Sequence, residues 1–305
     1  MDMNSNPLVS IVIPTYGGSN YLPRAINGIQ KQTYKNWELI VVDDNGVGTI
    51  NQEKTKQVLR PFVSDTRIKY ICHQVNQNAS AARNTGAANS NGVFIAFLDD
   101  DDEYCSEFLE RQVKVLSNLS DNYALVYCSH VTFFNGIQIE EIRASQRGML
   151  LYENLSHSIE IATSSILVRK SAFDSIKGFD ESFRRHQDWE FIARIAAKYL
   201  IQANDFIGYR RYLEWRTVPN TFQKAKSYRE HYLTKMKPYI EMLPSKRQKY
   251  VLWGNRLDVA MWLLKEKKFG AFIKEYYNIH SGWFGMCFLL GRVKIIIRRR
   301  KMKLV

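Results

Sequence analysis

The stretch Gly92-Val93-Phe94-Ile95-Ala96-Phe97-Leu98-Asp99-Asp100-Asp101-Asp102 joins a short apolar run to four consecutive aspartates. An unbroken apolar run of this length reads as a strand buried on both faces, and such strands belong to parallel sheets covered by helices. The acidic run then falls at the strand's carboxyl end, the edge where doubly wound sheets bind their ligands. Packing like charges is costly unless a cation sits among them. Spacing alone leaves two readings: a solvated acidic turn, or a site for a hard divalent cation that bridges carboxylate and diphosphate.

Outward from this strand, apolar runs and amphipathic stretches alternate. Residues 8–13, 37–42 and 68–72 read as three further strands, and 21–32, 51–62 and 80–89 as the helices between them. Leu22, Ala25, Ile26 and Ile29 share one face of the first helix, behind Ser19 and Asn20 as its expected cap. The order β-α-β-α-β-α-β predicts an α/β fold with a mixed, mostly parallel sheet. Beyond it, 107–116 reads as a helix, 124–128 as a strand, 131–142 as a hairpin around Asn135-Gly136 and 165–168 as a short strand. Residues 188–199 form an amphipathic helix, and from about Ser227 onward the pattern is helical.

Two more polar clusters follow predicted strand ends. Asp43-Asp44-Asn45-Gly46 offers carboxylates that suit a base N–H or a ribose hydroxyl, with an ordinary Asx turn as the plainer reading. Pro14-Thr15-Tyr16-Gly17-Gly18 places an aromatic ring, able to stack on a nucleobase, beside a pliant loop. Neither G-x-x-x-x-G-K-[ST] nor G-x-G-x-x-G occurs, which argues against a P-loop ATPase or a dinucleotide-dependent dehydrogenase.

Taken in order, the anchors resemble those of the family 2 glycosyltransferases over residues 8 to about 212. They are Ser10-Ile-Val-Ile-Pro-Thr-Tyr16, Gln32-Thr-Tyr34, Glu38-Leu-Ile-Val-Val-Asp-Asp44, Ser80-Ala-Ala-Arg-Asn84, the strand ending in Asp102, Ser164-Ser-Ile-Leu-Val-Arg169, Gly178-Phe-Asp-Glu181 and Asp188-Trp-Glu190. The resemblance implies the GT-A fold, a Rossmann-like sheet flanked by helices. It also implies inverting transfer of a sugar from a nucleotide donor, usually UDP-linked, with Mn²⁺ or Mg²⁺. Carried over by position, Pro14 and Tyr16 border the base, Asp44 accepts from the uracil, Asp43 shapes that pocket, and Arg83 approaches the base or diphosphate. Asp99 and Asp100 hold the ribose and orient the site, Asp101 ligates the metal, and Asp102 stands behind it. Asp188 matches the general base, with Glu190 as a nearby rival and His186 as a candidate on the acceptor side. The chain departs from the family where a histidine commonly follows a Tyr-Arg pair: Tyr209-Arg210-Arg211-Tyr212 has none, and Arg211 becomes the candidate for the diphosphate. The other histidines read as surface or packing residues.

The chemistry accounts for these residue types. Displacing a nucleoside diphosphate builds charge on the leaving group, which a bound cation stabilises as a Lewis acid. One carboxylate that deprotonates an acceptor hydroxyl inverts the anomeric centre, whereas retention by double displacement needs a second, nucleophilic carboxylate. A nucleotidyltransferase or a non-catalytic nucleotide-sugar-binding protein is the alternative, and keeping Asp101 together with Asp188 argues against lost catalysis.

Composition sets the remaining bounds. With 45% hydrophobic and 24% charged residues in 305, the chain reads as globular, neither low-complexity nor disordered. Cys72, Cys105, Cys128 and Cys287 show no C-x-x-C spacing, which fits a reducing compartment. The opening MDMNSNPLV lacks the basic and apolar regions of a signal peptide, so a cytoplasmic protein is expected. Charge divides the chain: residues 1–215 hold 22 basic and 25 acidic side chains, and 216–305 hold 21 and 5. We therefore expect a catalytic domain over 1–215 and a basic helical region over 216–305. Residues 282–305 mix Trp283, Phe284, Phe288 and Ile295–Ile297 with seven basic side chains and no acid. The apolar part is too short and too interrupted to span a bilayer, for which ~20 residues are needed. It reads as an in-plane amphipathic segment at the anionic inner face of a membrane, or as a packed helix with a charged rim. A glycan or polyprenyl-diphosphate-linked acceptor of surface polysaccharide synthesis suits such a place. No nucleic-acid partner is expected.

Overall fold

The computed structural model describes residues 6–213 and 221–279. Its first strands are β1 (Val9–Thr15), β2 (Trp37–Asp43), β3 (Ile68–Cys72) and β4 (Phe94–Phe97). The connections between them are α1 (Leu22–Gln30), α2 (Ile50–Leu59) and α3 (Ala79–Ala88). These strands are parallel in the order β3-β2-β1-β4. Every residue of β1, β2 and β4 is buried, as their apolar runs require. The order reverses at β1, so the loops after β1, β2 and β4 surround a topological switch point.

Strands in mixed orientation complete the sheet. They comprise β5 (Glu103–Tyr104), α4 (Phe108–Ser117), β6 (Tyr123–Phe134), β7 (Ile137–Ile142), then α5 (Leu151–Leu155), β8 (Ile166–Arg169), α6 (Lys170–Ser175), α7 (Gln187–Ala196) and β9 (Leu200–Tyr212). The sheet runs β3-β2-β1-β4-β8-β6-β9-β5, with β7 on β6. Asn135 and Gly136 both take positive φ, 48° and 78°, in the two-residue turn between β6 and β7. Gly92 has a steric cause: a Cβ there would lie 2.6 Å from the Ser10 nitrogen and from its hydroxyl.

Two local expectations change. Neither Ser19 nor Asn20 caps α1; the Gly18 carbonyl accepts from Tyr21 and Leu22, and Pro23 in the first turn removes a donor that a cap would have served. The strand predicted over 124–128 continues to Phe134, and β9, which the sequence pattern does not announce, pairs with it in parallel. Gln202, Asn204, Asp205 and Gly208 break the alternation of β9, so pairing with β6 rather than propensity makes it a strand.

The described residues form two compact units. One holds those up to Leu150 and from Glu160 to Leu213; the other holds 151–159 and those from Thr221. Segment 151–159 thus joins the C-terminal helices, a grouping that the sequence boundary at 215 does not contain. The second unit packs α5 with α8 (Phe222–Glu241), α9 (Ser245–Lys265) and α10 (Phe269–Ile279) around Tyr232, Met236, Val251 and Leu257. Inside it the Arg229 guanidinium donates to Asn255 Oδ1 at 2.6 Å and to Asp258 Oδ2 at 3.1 Å, and Asn255 donates to the Leu155 carbonyl at 3.0 Å. Among the described residues no helix is long and apolar enough to cross a membrane. The amphipathic reading of 282–305 lies outside the described residues.

Candidate active site

Three loops at the carboxyl ends of β1, β2 and β4 are tied into one edge. The Thr15 hydroxyl donates to Asp100 Oδ2 at 2.6 Å, the Asp44 N–H to the Thr15 carbonyl at 2.9 Å, and the Gly17 N–H to Asn45 Oδ1 at 2.8 Å. This wiring brings together the aspartates after β2 and β4. Pro14 is buried at the end of β1, and Tyr16 stands 60% exposed beside it, its ring open to a flat ligand.

Asp43 and Asp44 are both buried. Asp43 accepts from the Asn45 N–H and side chain and from the Tyr70 hydroxyl, at 2.9, 2.7 and 2.8 Å. Burial, and less so this carboxylate, push the Tyr70 hydroxyl well above its ordinary value. Asp44 Oδ1 receives His73 Nδ1 at 2.7 Å and the Gln77 N–H at 2.8 Å; Oδ2 receives Asn76 Nδ2 at 2.7 Å and the Asn78 N–H at 2.9 Å. A carboxylate has about four acceptor positions, and these donors fill them. A nucleobase meeting Asp44 directly therefore competes with the donors that fold the 73–78 loop. His73, read from sequence as a surface or packing residue, is a buried link from Asp44 to the Thr85 hydroxyl, 2.9 Å from its Nε2.

The run after β4 divides by burial. Asp100 and Asp102 are buried, whereas Asp99 and Asp101 are half-buried. Ser164 supports both ends of the run: its hydroxyl accepts from the Asp99 N–H at 3.1 Å and donates to Asp102 Oδ2 at 2.8 Å. The Tyr212 N–H reaches Asp102 Oδ1 at 3.3 Å. Burial, then the neighbouring Asp99 and Asp101, hold the Asp102 carboxyl well above the usual range. The Arg24 guanidinium donates to the Asp101 carbonyl at 2.5 Å and lies 3.7 Å from the Tyr212 ring centre.

Arg83 connects this loop to α7. Only 5% exposed, it reaches Asp99 Oδ1 at 2.6 Å and Gln187 Oε1 at 3.5 Å. Asp188 stands in the first turn of α7, half-buried, within electrostatic reach of Arg83 and Asp99. Its carboxyl is raised above the ordinary aspartate value chiefly by burial; the Trp189 N–H and Arg83 oppose the shift. A carboxylate so raised, beside an acidic loop, is suited to take a proton from a hydroxyl.

The rival candidates lead elsewhere. Glu190 is buried and committed to Arg194, which it meets with both oxygens, and Arg194 donates to the carbonyls of Ile176 and Gly178 at 2.5 and 2.6 Å. The pair braces the Gly178 turn. His186 takes a left-handed φ of 63° and stacks on Trp189 at 4.1 Å, before the first turn of α7. Arg211 pairs with Glu160 at 3.0 Å within electrostatic reach of Asp99 and Asp102. Behind that pair His130 is buried against Tyr209, its pKa lowered to about 4 by burial and by Arg211, so it is neutral near pH 7. Thr15, Ser164, His73 and Glu160 carry site geometry that the sequence reading does not assign. Thr15 and Ser164 lie inside motifs it quotes, and nothing local marks His73 or Glu160.

A profile of the family described as glycosyl transferase family 2 matches residues 10–176, more than half of the chain. The chain belongs to that family. Among curated relatives, an uncharacterized glycosyltransferase of Rickettsia typhi is 31% identical over 193 residues, covering 61% of this chain and 57% of that protein. The UDP-Glc:alpha-D-GlcNAc-diphosphoundecaprenol beta-1,3-glucosyltransferase WfgD of Escherichia coli is 31% identical over 164 residues, covering 54% of this chain and 61% of WfgD. The matched segment thus spans little more than half of these relatives. Two solved structures share the fold: S. aureus TarS 1-349 in complex with UDP-GlcNAc, with 14% identity, TM-score 0.60 and coverage of 90% and 91%, and a Pyrobaculum calidifontis mannosyltransferase in complex with GDP-Man and Mn²⁺, with 14% identity, TM-score 0.62 and coverage of 98% and 84%. The α/β architecture with a curled, mostly parallel sheet is that of the GT-A transferases.

Proposed function

We propose that the protein is an inverting glycosyltransferase that moves a sugar from a UDP-linked donor to a polyprenyl-diphosphate-linked glycan in surface polysaccharide synthesis, at the inner face of the membrane. The observation that carries this reading is the placement of Asp188 in the first turn of α7, within electrostatic reach of Arg83, which holds Asp99 of the acidic loop at 2.6 Å. The acceptor class is supported by WfgD, whose name specifies a diphosphoundecaprenol-linked sugar, and the donor class by the UDP-Glc in that name.

The donor set fits a hard divalent cation. Among the described residues no three His, Cys, Asp or Glu side chains converge as a ready cage. Mg²⁺ and its like bind through one or two carboxylates and complete their shell with water and substrate phosphates. Asp101, half-buried at the loop tip, would hold such an ion, with Asp99 beside it; Asp100 and Asp102 brace the loop through Thr15 and Ser164. When bound, Mn²⁺ or Mg²⁺ supplies Lewis-acid stabilisation of the departing diphosphate.

The chain's own residues do the rest. Tyr16 offers its ring to the base, and Asp43 and Asp44 order the loops around that pocket. Arg83 fixes Asp99 against α7 and so sets the distance between donor and base. Asp188 accepts the proton of the acceptor hydroxyl as its oxygen attacks the anomeric carbon opposite the leaving UDP. Arg211, beside the acidic loop, offers positive charge to the diphosphate on exchanging Glu160 for it.

Thermal unfolding with UDP, GDP and ATP, each with and without Mn²⁺, tests the donor assignment. A ligand at 100 times its dissociation constant adds about 2.7 kcal/mol, a shift of several degrees. Stabilisation by UDP with Mn²⁺ and by neither other nucleotide is expected. Stabilisation by none, or release of pyrophosphate from a nucleoside triphosphate, overturns the reading.

A further inference from the structure

We propose that the outer face of α10 is a docking surface for an anionic lipid bilayer. Phe269, Ile273 and Tyr277 recur every fourth residue along α10 and are 62%, 53% and 71% exposed. Positions four apart lie on one side of a helix, so these side chains form a single stripe. Phe272 and Tyr276, half-buried, border it, which makes the apolar surface continuous around much of the helix. A surface helix ordinarily buries its apolar stripe and turns polar residues outward. Here Ile279 is buried in the helical unit while a second apolar stripe stays outside. Contiguous exposed apolar surface of this kind marks an interaction site.

Charge selects the partner. Lys265, Lys267, Lys268 and Lys274 are exposed around the stripe. Of the nearby acids, Glu266 is occupied by Lys268 at 2.7 Å and by the Phe222 N–H, and Glu275 is half-buried, lining the cavity of about 390 Å³ that α10 encloses with α8 and α9. The sequence that follows adds Arg292, Lys294, Arg298, Arg299, Arg300, Lys301 and Lys303 with no acid. A second copy of the chain would bring the same surplus, 21 basic against 5 acidic residues over 216–305, and would be repelled. Aromatic and aliphatic side chains on one face with lysines at the rim are instead the arrangement by which a helix lies in a lipid interface, rings at headgroup depth and ammonium groups against anionic headgroups.

This surface deepens the peripheral attachment proposed above. The full-length protein is to be sedimented with vesicles of phosphatidylcholine alone and of phosphatidylcholine containing about one third phosphatidylglycerol. We expect binding to the anionic vesicles, weak or no binding to neutral ones, and partial release by high salt. Phe269→Ser/Ile273→Ser/Tyr277→Ser, all on the exposed stripe, should weaken vesicle binding about tenfold or more, with wild-type circular dichroism and an unchanged shift with UDP and Mn²⁺. Lys267→Glu/Lys274→Glu should weaken it at low salt, and the deficit should close at high salt. Wild-type-like vesicle binding by the serine variant overturns the proposal. So does absence of wild-type binding, or a wild-type dimer that the serine variant converts to monomer, which would give the face to a second copy. Absence of vesicle binding by the wild-type protein with an intact UDP shift counts against docking alone; a missing wild-type UDP shift with intact vesicle binding counts against the transferase reading alone.

Discussion

Asp43-Asp44 and Asp99-Asp100-Asp101-Asp102 each end a fully buried apolar strand at the same edge of one sheet, yet their surroundings differ. The first pair is enclosed by protein donors: Asp44 alone receives a histidine, an asparagine side chain and two backbone N–H groups. The second run alternates. Asp100 and Asp102 turn inward to hydroxyls, while Asp99, held by the Arg83 guanidinium at 2.6 Å, and Asp101 are half-buried. A buried carboxylate filled by four protein donors spends its hydrogen-bonding capacity on the folded chain. A half-buried carboxylate set beside like charges is where a cation or substrate would gain most.

The sharpest way to break this comparison lies on the exposed side. Asp188→Asn should lower kcat by about 10²–10⁴-fold, the usual weight of a general base, while the UDP-dependent thermal shift survives. Turnover within a few-fold of wild type would remove Asp188 from the chemistry. Asp101→Asn should abolish the Mn²⁺-dependent part of the UDP shift and leave the ligand-free midpoint near that of wild type.

On the scaffold side, Asp44→Ala leaves four donors without their acceptor. It should cost about 2–4 kcal/mol and lower the midpoint by roughly 5–15 °C, read by thermal unfolding without ligand. A midpoint at the wild-type value would show that Asp44 is as dispensable to the fold as Asp101.

The pH dependence sharpens the contrast further. Asp188 is raised in the folded protein, so kcat/KM should fall as pH drops through that raised value, with the acid limb above the ordinary aspartate range. The stability sign runs the other way. The folded state holds this proton more tightly than the unfolded chain, so the ionised carboxylate disfavours folding above the folded pKa and carries no cost below the unfolded value. Asp188→Asn should accordingly be most stabilising near neutral pH, and its effect should vanish in acid. A limb that persists unchanged in Asp188→Asn belongs to another group.

The smallest effect is expected at Thr15→Val, which removes one hydroxyl from the buried Asp100. About 1–2 kcal/mol should be lost in thermal unfolding, with a modest fall in activity because the acidic loop loses its anchor to β1. A neutral substitution would leave Ser164 as the principal brace of that loop.

Much of this was legible in the chain. The first four strands and their helices follow from apolar periodicity, since residues buried on both sides of a sheet must be apolar whatever their partners. The switch-point loops follow too, because a strand's carboxyl end is where the run stops and the carboxylates begin. β9 was not legible. Its polar residues and Gly208 are tolerated because β6 supplies pairing, and a Cβ at Gly208 would meet Cys128 Sγ at 2.4 Å. The grouping of 151–159 with the helices was hidden for the same reason, since Asn255 reaches Leu155 across a hundred residues.

At the site, the sequence by itself determined which residues are acidic and at which strand ends they stand. The tertiary structure alone decided which partners each carboxylate meets. Asp44 and Asp43 are filled by donors, and Glu190, two residues from Asp188, is neutralised by Arg194 one turn further along α7. Asp188 lies within electrostatic reach of Arg83 and Asp99, and burial raises its proton affinity. The reason is physical: a side chain's type sets the charge it can carry, but its hydrogen-bond partners and its burial set whether that charge is already spent, and both come from parts of the chain far away in sequence.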